Sequence, residues 1–481
     1  MKKIRTRFAP SPTGFIHIGN LRSALYAYLI AKSQGGDFIL RIEDTDQMRL
    51  VPNAEKIIYD VLKLANLRYD EGPDKPGEYG PYVQSQRKEI YHDKAFELIR
   101  NGGAYFCFCQ KSDIAESKDK LHRGYDRKCR NLDENQVKKN LESGMKFVIR
   151  QKMPLEGKTS FTDTVFEQIT IDNSELEDGI LLKSDGMPTY NFANVIDDHM
   201  MHITHVVRGC EYLTSTPKYN LLYKAFGWEI PEYVHLPLIM GKNSDGSVTK
   251  LSKRAGSVGF EELIQDGFLP EVIVNYIAFL GWCPKTNREI FTLSELTKEF
   301  STQRIRKSPA IFDYLKLAWL NNEYIKNKTP KEFAEIIKVY LKNNLFDAVK
   351  IAKILQSRVS KLSEIPELID FIYEIPKFSK ELFINKKSKT NFENALVILE
   401  NALESLKEIQ SWTNDKIYNT ILQVAEKLNL KNSAIMWCIR ISVSGKTVTP
   451  GGASEILDIL GKIESINRIE NALNMLKGIK G

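Results

Sequence analysis

The first third of the chain alternates short apolar segments with longer segments of helical periodicity. Residues 4–9 predict an extended strand, and the Pro-Ser-Pro-Thr-Gly segment at 10–14 predicts a tight turn. Apolar positions in 21–32 recur with helical spacing, and 38–42 form an apolar run typical of a buried strand. This order predicts a parallel sheet covered by helices, with its ligand at the carboxyl ends of the strands.

The alternation stops between residues 102 and 172 and then resumes. Strand patterns occur in that interval at 146–151 and 166–171, close to a cluster of cysteines. From residue 179 onward strands and helices alternate again, and 217–226 has helical spacing. We therefore predict an insertion between two halves of one sheet.

The sequence after Trp319 is almost entirely helical in pattern. Apolar residues recur at three- and four-residue intervals in 331–342, 392–409 and 417–428. The predicted fold class is therefore α/β, with a split Rossmann-like parallel sheet, an α+β insertion and an all-α C-terminal region. The domain boundaries we predict are 1–83 with 176–230, then 84–175, 231–325, 326–375 and 376–481.

Composition and charge are those of a globular protein with several domains. The 481 residues are 42% hydrophobic and 27% charged, which is enough apolar side chain for packed cores throughout. The formal net charge of +7 permits a polyanionic partner. No apolar signal segment follows the Met-Lys-Lys start, and the longest apolar run is too short to cross a bilayer. We expect a cytoplasmic protein without membrane attachment.

Two segments far apart in the sequence carry candidate phosphate-binding residues, and the first is 10–20. Its Gly14 and Gly19 remove side chains where a ligand must approach the backbone, and the predicted helix that follows presents N-terminal amides to an anion. His17 stands between them as a donor to phosphate. This combination favours a nucleotide site at the first turn of the sheet.

The second candidate is a basic loop in the middle of the chain. Residues 250–254 read Lys-Leu-Ser-Lys-Arg after a stretch rich in Gly and Ser, so that Lys250 and Lys253 can close over a triphosphate. Cations placed in this way stabilise a transition state that is more negative than the ground state. No G-x-x-x-x-G-K-[ST] motif occurs in the chain, which excludes a P-loop site.

Together, the two segments resemble the HIGH and KMSKS signatures of class I aminoacyl-tRNA synthetases. Asn20 replaces the last histidine of the first signature, and Arg254 replaces the final serine of the second. Further segments resemble the glutamyl branch of this family, and these are residues 7–14, 40–46, 182–194 and 207–217. The match extends from residue 5 to about residue 325, and more weakly to the end.

The resemblance implies a glutamate site beside an ATP site. The implied glutamate-binding residues are Arg7, Ala9, Ser11, Glu43, Tyr190, Asn194 and Arg208. The implied ATP-binding residues are Ser11, Gly14, Gly19, Asn20, Glu211, Ser252 and Lys253. The implied catalytic residues are His17, Lys250 and Lys253. Glu43 and Ser11 would face the ammonium group, and it stays open which of the two arginines binds the γ-carboxylate.

The chemistry of glutamate agrees with these residue types. One ammonium group and two carboxylates require matching charges in a partly desolvated pocket. An arginine at the γ-carboxylate rejects glutamine, because a neutral amide leaves the buried cation short of a partner. For the segment Arg41-Ile-Glu-Asp, an ion-paired strand end is the structural alternative to substrate binding.

The family implies an ATP-dependent ligase that esterifies glutamate to tRNA. The α-carboxylate of L-glutamate attacks the α-phosphorus of ATP, pyrophosphate leaves, and the glutamyl group then passes to the 3′ end of tRNA(Glu). We expect His17 and Lys253 on the phosphates, Mg²⁺ with the pyrophosphate, and Glu211 near the adenosine. The resemblance also suggests a monomer.

A cysteine cluster lies in the predicted insertion. Cys107 and Cys109 are followed by Tyr125 and Cys129, an arrangement that resembles the zinc site of some glutamyl-tRNA synthetases and of shorter relatives that modify queuosine. Three thiolates with a phenolate or water complete a tetrahedral site for structural Zn²⁺. A small apolar turn with free thiols is the alternative.

The remaining regions are expected to bind tRNA. By resemblance, the insertion holds the acceptor end, 231–325 contacts the stem, and the two helical domains reach the anticodon. Arg358 falls where the family places an arginine that reads the anticodon, and a surface salt bridge is the alternative for it.

Two other classes of function compete with the ligase. One is a nucleotidyltransferase of the same superfold, and such enzymes lack both the K-x-S-K loop and a long helical tail. The other is a catalytically silent relative, which should have lost His17, Lys253 or the arginines of the glutamate site. All of these are present in the chain.

Overall fold

In a computed structural model the chain folds into two compact units. Unit 1 comprises Met1–Ile264 with Pro270–Asp313, and unit 2 comprises Gln265–Leu269 with Tyr314–Gly481. The structure describes residues 2–46, 48, 50–110, 125–242, 247–251 and 259–478, and for Lys250 it describes the backbone only.

The strands occur in unit 1, and four of them lie close to positions that the sequence predicts. In the described residues they are β1 (Arg5–Phe8), β2 (Asp37–Leu40), β3 (Ala104–Cys107), β4 (Val148–Gln151), β5 (Lys158–Asp163), β6 (Glu167–Asp172), β7 (Ile180–Leu182), β8 (His205–Gly209), β9 (Glu232–Leu236), β10 (Ile239–Lys242), β11 (Val248–Lys250) and β12 (Ala310–Phe312). The strand patterns at 4–9, 38–42, 146–151 and 166–171 all coincide with one of them.

The helices divide between the two units. Those that begin in unit 1 are α1 (Ile18–Ser33), α2 (Ala54–Leu64), α3 (Lys88–Arg100), α4 (Glu134–Glu142), α5 (Tyr190–Met200), α6 (Thr216–Phe226), α7 (Phe260–Gln265), α8 (Pro270–Ala278) and α9 (Leu293–Glu299). Those of unit 2 are α10 (Tyr314–Lys326), α11 (Pro330–Ile337), α12 (Ala348–Leu355), α13 (Ile365–Tyr373), α14 (Phe392–Lys407), α15 (Asn414–Lys427), α16 (Asn432–Ser444) and α17 (Ala453–Leu476).

A parallel sheet forms the centre of unit 1. β1 pairs with β2, β8 with β9, and β9 with β5, all in the parallel sense. Thr204, directly before β8, donates its backbone N–H to the carbonyl of Arg5 at 2.9 Å, which brings the β1–β2 pair beside β8. β6 closes one edge antiparallel to β5. The carboxyl ends of β1, β2, β8 and β9 therefore meet at one edge, where open α/β sheets bind ligands.

Helix α1 follows β1 and is buried on most of its surface. Leu21, Leu25 and Leu29 recur at four-residue intervals and are at most 1% exposed. Tyr26 on another face is fully buried, and its hydroxyl donates to the carbonyl of Ala278 at 3.0 Å. A helix that is apolar on all sides is fixed by its surroundings, which holds its N-terminus firmly at the sheet edge.

The predicted insertion shares both the core and the sheet of unit 1. Tyr91 and Leu98 of α3 pack in one apolar cluster with Phe192 of α5 and Tyr223 of α6. β5 extends the parallel sheet by pairing with β9. Residues 84–175 thus lie within unit 1, and the finer division of the chain into five domains stays a prediction.

The described residues of unit 2 form helices joined by turns and loops, as the periodicity of the sequence predicts. Arg468 lies buried among its helices and donates to the carbonyls of Phe371, Val443 and Ile372 at 2.6 to 3.0 Å. These bonds satisfy carbonyls near the ends of α13 and α16 that have no partner within the helix. In the part of the chain that the structure describes, none of the helices is both long enough and apolar enough to span a bilayer.

Candidate active site

A cavity of about 710 Å³ opens at the carboxyl ends of the parallel strands, and we call it the strand-end cavity. Its walls come from the segments that follow β1, β2, β8 and β9, and from the start of α1 and α5. The predicted site residues on its walls are Arg7, Ala9, Ser11, His17, Gly19, Asn20, Glu43, Tyr190, Arg208 and Glu211. Residues predicted for phosphate and residues predicted for glutamate therefore share one cavity.

Two predicted residues lie off these walls. Asn194 is 2% exposed, and its side-chain amide donates to the carbonyl of Tyr190, one helical turn earlier, at 2.7 Å. Gly14 has a φ of +118° in the turn between β1 and α1, a conformation that favours glycine. Both shape the segments that present wall residues. Ser252, Lys253 and Arg254 lie outside the described residues, as does the side chain of Lys250.

The two candidate phosphate segments approach each other at the strand-end cavity. Leu251, directly before the undescribed residues 252–258, lies on the wall. Gly259, directly after them, forms an antiparallel bridge with His17, and the amide of Phe260 donates to the carbonyl of Ile16 at 3.2 Å. The chain thus enters and leaves 252–258 beside the first segment, although 233 positions separate Ile18 from Leu251 in the sequence.

His17 caps the N-terminus of α1. Its backbone is extended, with φ −66° and ψ 143°, and its Nδ1 accepts a hydrogen bond from the amide of Gly19 at 3.0 Å. A neutral imidazole that accepts at Nδ1 carries its proton on Nε2, which is the donor that a phosphate oxygen requires. The N-terminal amides of α1 add to the attraction of this end of the cavity for an anion.

A network of buried charges lies behind the part of the cavity wall that is predicted to bind glutamate. Asp198 accepts from Nε and Nη2 of Arg7 at 3.0 and 3.2 Å, and from Nη1 of Arg41 at 2.7 Å. Arg41 also donates to Oε1 of Glu43 at 2.9 Å. Arg41 is thus the ion-paired residue of the structural alternative, whereas Glu43 lies on the cavity wall. Asp197 pairs with Arg87 at 2.7 Å, so three cations and three carboxylates balance.

The pKa values of Glu43 and Asp198 shift in opposite directions within this network. Burial raises the pKa of Glu43, although Arg41 acts against it. Burial would also raise the pKa of Asp198, but Arg7 and Arg41 together lower it. The charged form of Asp198 is therefore favoured, because two guanidinium groups contact its carboxylate.

Arg208 differs from Arg7 because it has no carboxylate partner among the described residues. Its Nε donates to Nε2 of His235 at 3.2 Å and its Nη2 to Oγ1 of Thr216 at 2.8 Å, while Nη1 has no protein acceptor in this part of the chain. Its guanidinium carbon lies 4.6 to 5.4 Å from ring centres, those of Tyr212, Tyr219 and Tyr233. The aromatic faces stabilise the cation without neutralising it.

An apolar stretch that we did not predict forms part of the cavity wall. Pro237, Leu238 and Ile239 follow β9 and lie on the cavity wall. Arg22 of α1 holds this stretch, because its guanidinium donates to the carbonyl of Pro237. An adenine ring requires such an apolar surface. The run of apolar residues shortly before the basic loop was the available signal.

Asp198 was also missed, although the sequence contained a signal for it. Tyr190, Asn194 and Asp198 are four residues apart along α5 and hence lie on one face of that helix. A carboxylate on the same face as two predicted site residues is a candidate partner for a site arginine.

The cysteine cluster converges at the end of β3. The sulfur atoms of Cys107, Cys109 and Cys129 lie within 4.8 Å of one another, and those of Cys109 and Cys129 are 3.5 Å apart. The hydroxyl of Tyr125 is 3.2 Å from the sulfur of Cys107 and 4.0 Å from that of Cys109. Arg150 stacks on the Tyr125 ring at 3.8 Å and holds it in place. All four predicted ligands are brought together.

Comparison with known proteins identifies the family. Residues 3–319 match the model of the catalytic domain of class I tRNA synthetases (E and Q), and residues 314–473 match an anticodon binding domain. The glutamate–tRNA ligase of Clostridium tetani is 52% identical over 484 residues, covering 99% of this chain and 98% of the relative. This chain belongs to the glutamyl-tRNA synthetase family.

Relatives in the family extend over the whole chain. The glutamate–tRNA ligase of Clostridium kluyveri is 52% identical over 485 residues, which is 99% of both proteins. The crystal structure of a glutamate–tRNA ligase from Elizabethkingia meningosepticum in complex with its amino acid superposes with a TM-score of 0.90 at 35% identity, over 99% of this chain and 100% of that one. The predictions of the family and of the α/β fold class with a helical C-terminal region are confirmed.

The buried charge network generates a stability prediction. Asp198→Ala leaves Arg7 and Arg41 without their shared carboxylate, and removing one partner of a buried ion pair costs about 3–5 kcal/mol. We expect the free energy of unfolding, measured by denaturant titration, to fall by that amount.

Glu142→Ala is the matched control for this measurement. Oε1 of Glu142 lies 3.9 Å from Nζ of Lys138 in an exposed ion pair. Removing this pair should lower the free energy of unfolding by no more than about 0.5 kcal/mol. Equal losses in Asp198→Ala and Glu142→Ala would contradict a central role for Asp198.

Proposed function

We propose that the strand-end cavity binds glutamate at its Arg208 end and ATP at its His17 end, and joins them. The observation that carries the proposal is that one cavity holds both the capped N-terminus of α1 and the uncompensated guanidinium of Arg208. The predicted activity, that of a glutamate–tRNA ligase, is confirmed by membership of the glutamyl-tRNA synthetase family. The residue roles that follow are our proposal.

At the glutamate end, Arg208 binds the γ-carboxylate. Arg7 is paired with the carboxylate of Asp198, whereas Arg208 has no carboxylate partner among the described residues. In the same part of the chain, Nη1 of Arg208 has no acceptor. Glu43 offers a carboxylate for the ammonium group, because its Oε1 is bound by Arg41 and no donor to its Oε2 is found in this part of the chain. Arg7, Ser11 and Tyr190 complete the polar wall around the amino acid.

At the nucleotide end, the phosphates lie at the start of α1. His17 donates from Nε2, the positive end of the α1 dipole lies on the wall at Gly19 and Asn20, and Lys250 and Lys253 neutralise the charge that develops on the leaving pyrophosphate. Mg²⁺ enters with the ATP phosphates as part of the substrate. The adenosine lies between Glu211 and the apolar segment that begins at Pro237.

The reaction requires no covalent intermediate on the protein. An oxygen of the glutamate α-carboxylate attacks the α-phosphorus of ATP, the bond to the β-phosphate oxygen breaks, and pyrophosphate leaves with the electron pair. A ribose hydroxyl at the 3′ end of tRNA(Glu) then attacks the glutamyl carbonyl, and AMP leaves. The protein contributes position and charge, which account for most of the acceleration in phosphoryl-transfer chemistry.

Two variants should separate the two ends of the site in an ATP–pyrophosphate exchange assay with glutamate. Arg208→Met removes the γ-carboxylate partner, so the KM for glutamate should rise roughly 100-fold. Lys253→Ala removes charge that acts in the transition state, so kcat should fall by about 10²–10³-fold with a smaller change in that KM.

The assay is run with and without tRNA, with glutamine as the competing amino acid and Arg288→Met as the control. Arg288 is half exposed and pairs with Glu295, so its loss should leave both constants unchanged. Wild-type protein that exchanges with glutamine as readily as with glutamate would overturn the assignment of Arg208. An unchanged kcat in Lys253→Ala would remove Lys253 from the mechanism.

The cysteine cluster fits structural Zn²⁺. Zn–S distances of about 2.3 Å place the sulfurs of a tetrahedral site roughly 3.8 Å apart, close to the spacing between Cys109 and Cys129. Cys107 supplies the third thiolate and the Tyr125 oxygen the fourth position. The ion would tie the end of β3 to the segment around Cys129.

Metal analysis of the purified protein should find one equivalent of zinc. Cys107→Ser should lose it, because three protein ligands bind far more weakly than four. Cys283→Ser is the matched control, since Cys283 is a free cysteine of unit 1 outside the cluster and its change should leave the zinc content intact. Zinc-free wild-type protein would support the alternative of an apolar turn with free thiols.

Unit 2 reads the anticodon through Arg358 in this proposal. Arg358 is exposed directly after α12, and it has no ion-pair partner among the described residues, which favours nucleic-acid contact over a surface salt bridge. Its planar guanidinium can pair with a base edge through two hydrogen bonds. Cytoplasmic location and the monomeric state stay predictions.

Arg358→Gln should relax discrimination between tRNA species whose anticodons end in C and in G. A bidentate base contact contributes about 1–3 kcal/mol of discrimination, so the ratio of the two kcat/KM values for aminoacylation should fall by roughly 5- to 150-fold. Lys477→Gln, which alters an exposed ion pair with Glu400, should leave the ratio unchanged. Identical ratios in Arg358→Gln and wild type would rule out the role.

A further inference from the structure

We propose that His235 is a positioning residue for glutamate selection. Its Nε2 accepts a hydrogen bond that orients the Arg208 guanidinium, and Asp163 fixes the tautomer of His235 that makes this possible. The inference deepens the proposed function and rests on it. It assigns a specificity role to a buried pair of residues that lies behind the substrate wall.

The three residues form a continuous hydrogen-bonded chain. Arg208 on β8 and His235 on β9 are neighbours in the parallel register, and Nε of Arg208 is 3.2 Å from Nε2 of His235. Nδ1 of His235 is 2.6 Å from Oδ2 of Asp163, the last residue of β5. The side chains of His235 and Asp163 are both fully buried, so no water competes with these bonds.

The hydrogen bonds around Asp163 determine which nitrogen of His235 carries the proton. Oδ1 of Asp163 accepts from the amides of Val165 and Phe166 at 2.9 and 2.8 Å, and Oδ2 accepts from the amide of His235 at 3.1 Å. A carboxylate in this setting is purely an acceptor. The imidazole must therefore donate to it from Nδ1.

The surroundings of Nε2 agree with this tautomer. The hydroxyl of Thr216 donates to the carbonyl of Tyr212 at 2.9 Å, so its contact of 3.3 Å with Nε2 brings no proton to the ring. The remaining neighbour is the Nε–H of Arg208, for which Nε2 is the acceptor. Burial and the charge of Arg208 lower the pKa of His235, and Asp163 raises it. The net shift is downward, which favours the neutral ring.

The orientation of Arg208 follows from these bonds. Aromatic faces attract a guanidinium but leave it free to turn in its own plane, whereas acceptors at Nε and Nη2 fix that rotation. The fixed rotation directs the remaining Nη1 edge to a ligand. Without the acceptor on His235, the buried Nε–H of Arg208 lacks a partner. The guanidinium then turns toward other acceptors, and its hydrogen bonds to the γ-carboxylate weaken.

Two substitutions of His235 separate its two hydrogen bonds. The amide of His235→Asn reaches the position of Nδ1, so it can donate to Asp163 but not accept from Arg208. The carbonyl of His235→Gln reaches the position of Nε2 and accepts from Arg208. We expect the KM for glutamate to rise about 10-fold or more in His235→Asn and to stay within about 3-fold of wild type in His235→Gln.

The readouts distinguish positioning from a merely structural role. In His235→Asn the preference for glutamate over glutamine should fall by about 10-fold or more, while the KM for ATP stays within about 2-fold. Equal effects of the two variants, or parallel rises in both KM values, would overturn the inference. Exchange activity of the wild type with glutamate is measured alongside, so failure of the proposed function is seen separately.

A measurement on the wild-type protein keeps the test independent of variant folding. The ¹⁵N shifts of His235, assigned by comparison with His235→Gln or by selective labelling, should show a neutral ring protonated at Nδ1. Saturating glutamate should shift the Nε2 resonance, because the ligand binds the guanidinium that Nε2 contacts. A ring protonated at Nε2, or an imidazolium at neutral pH, would overturn the inference.

Discussion

The site depends on the placement of one buried carboxylate, that of Asp198, between two arginines. Asp198 neutralises Arg7 and Arg41 behind the wall of the strand-end cavity, where unpaired cations would be too costly to bury. Those charges are balanced within the protein, whereas Arg208 has no carboxylate partner among the described residues. In the proposed function, this difference between the arginines makes Arg208 the one that selects the substrate.

The second constraint is the shared edge of the parallel sheet. β1, β2, β8 and β9 all end there, so residues from separate parts of the chain reach one cavity, and α1 adds its N-terminal amides. The predicted insertion is part of the same design. Its strand β5 ends in Asp163, which is hydrogen-bonded to His235 and through it to Arg208 on the cavity wall.

Local patterns in the sequence were sufficient to predict several elements and to name residues that the structure places on one cavity. Helical spacing located α1, α6, α11, α14 and α15, and the turn before His17 indicated where a phosphate could bind. The apolar segment after β9 was missed because nothing in an apolar run distinguishes a cavity wall from a core strand. The compact fold of 84–175 within unit 1 was not predicted either, since a shared core arises from contacts between distant segments.

The sequence by itself determined the family, the order of strands and helices, and the kinds of side chain at the site, because motifs and periodicity are local properties of the chain. Only the tertiary structure decided how those side chains are paired. Arg7 and Asp198 are 191 positions apart, and Asp163 and His235 are 72 apart. Electrostatic and hydrogen-bond partners across such separations are set by the packing of the sheet, which a local pattern does not contain.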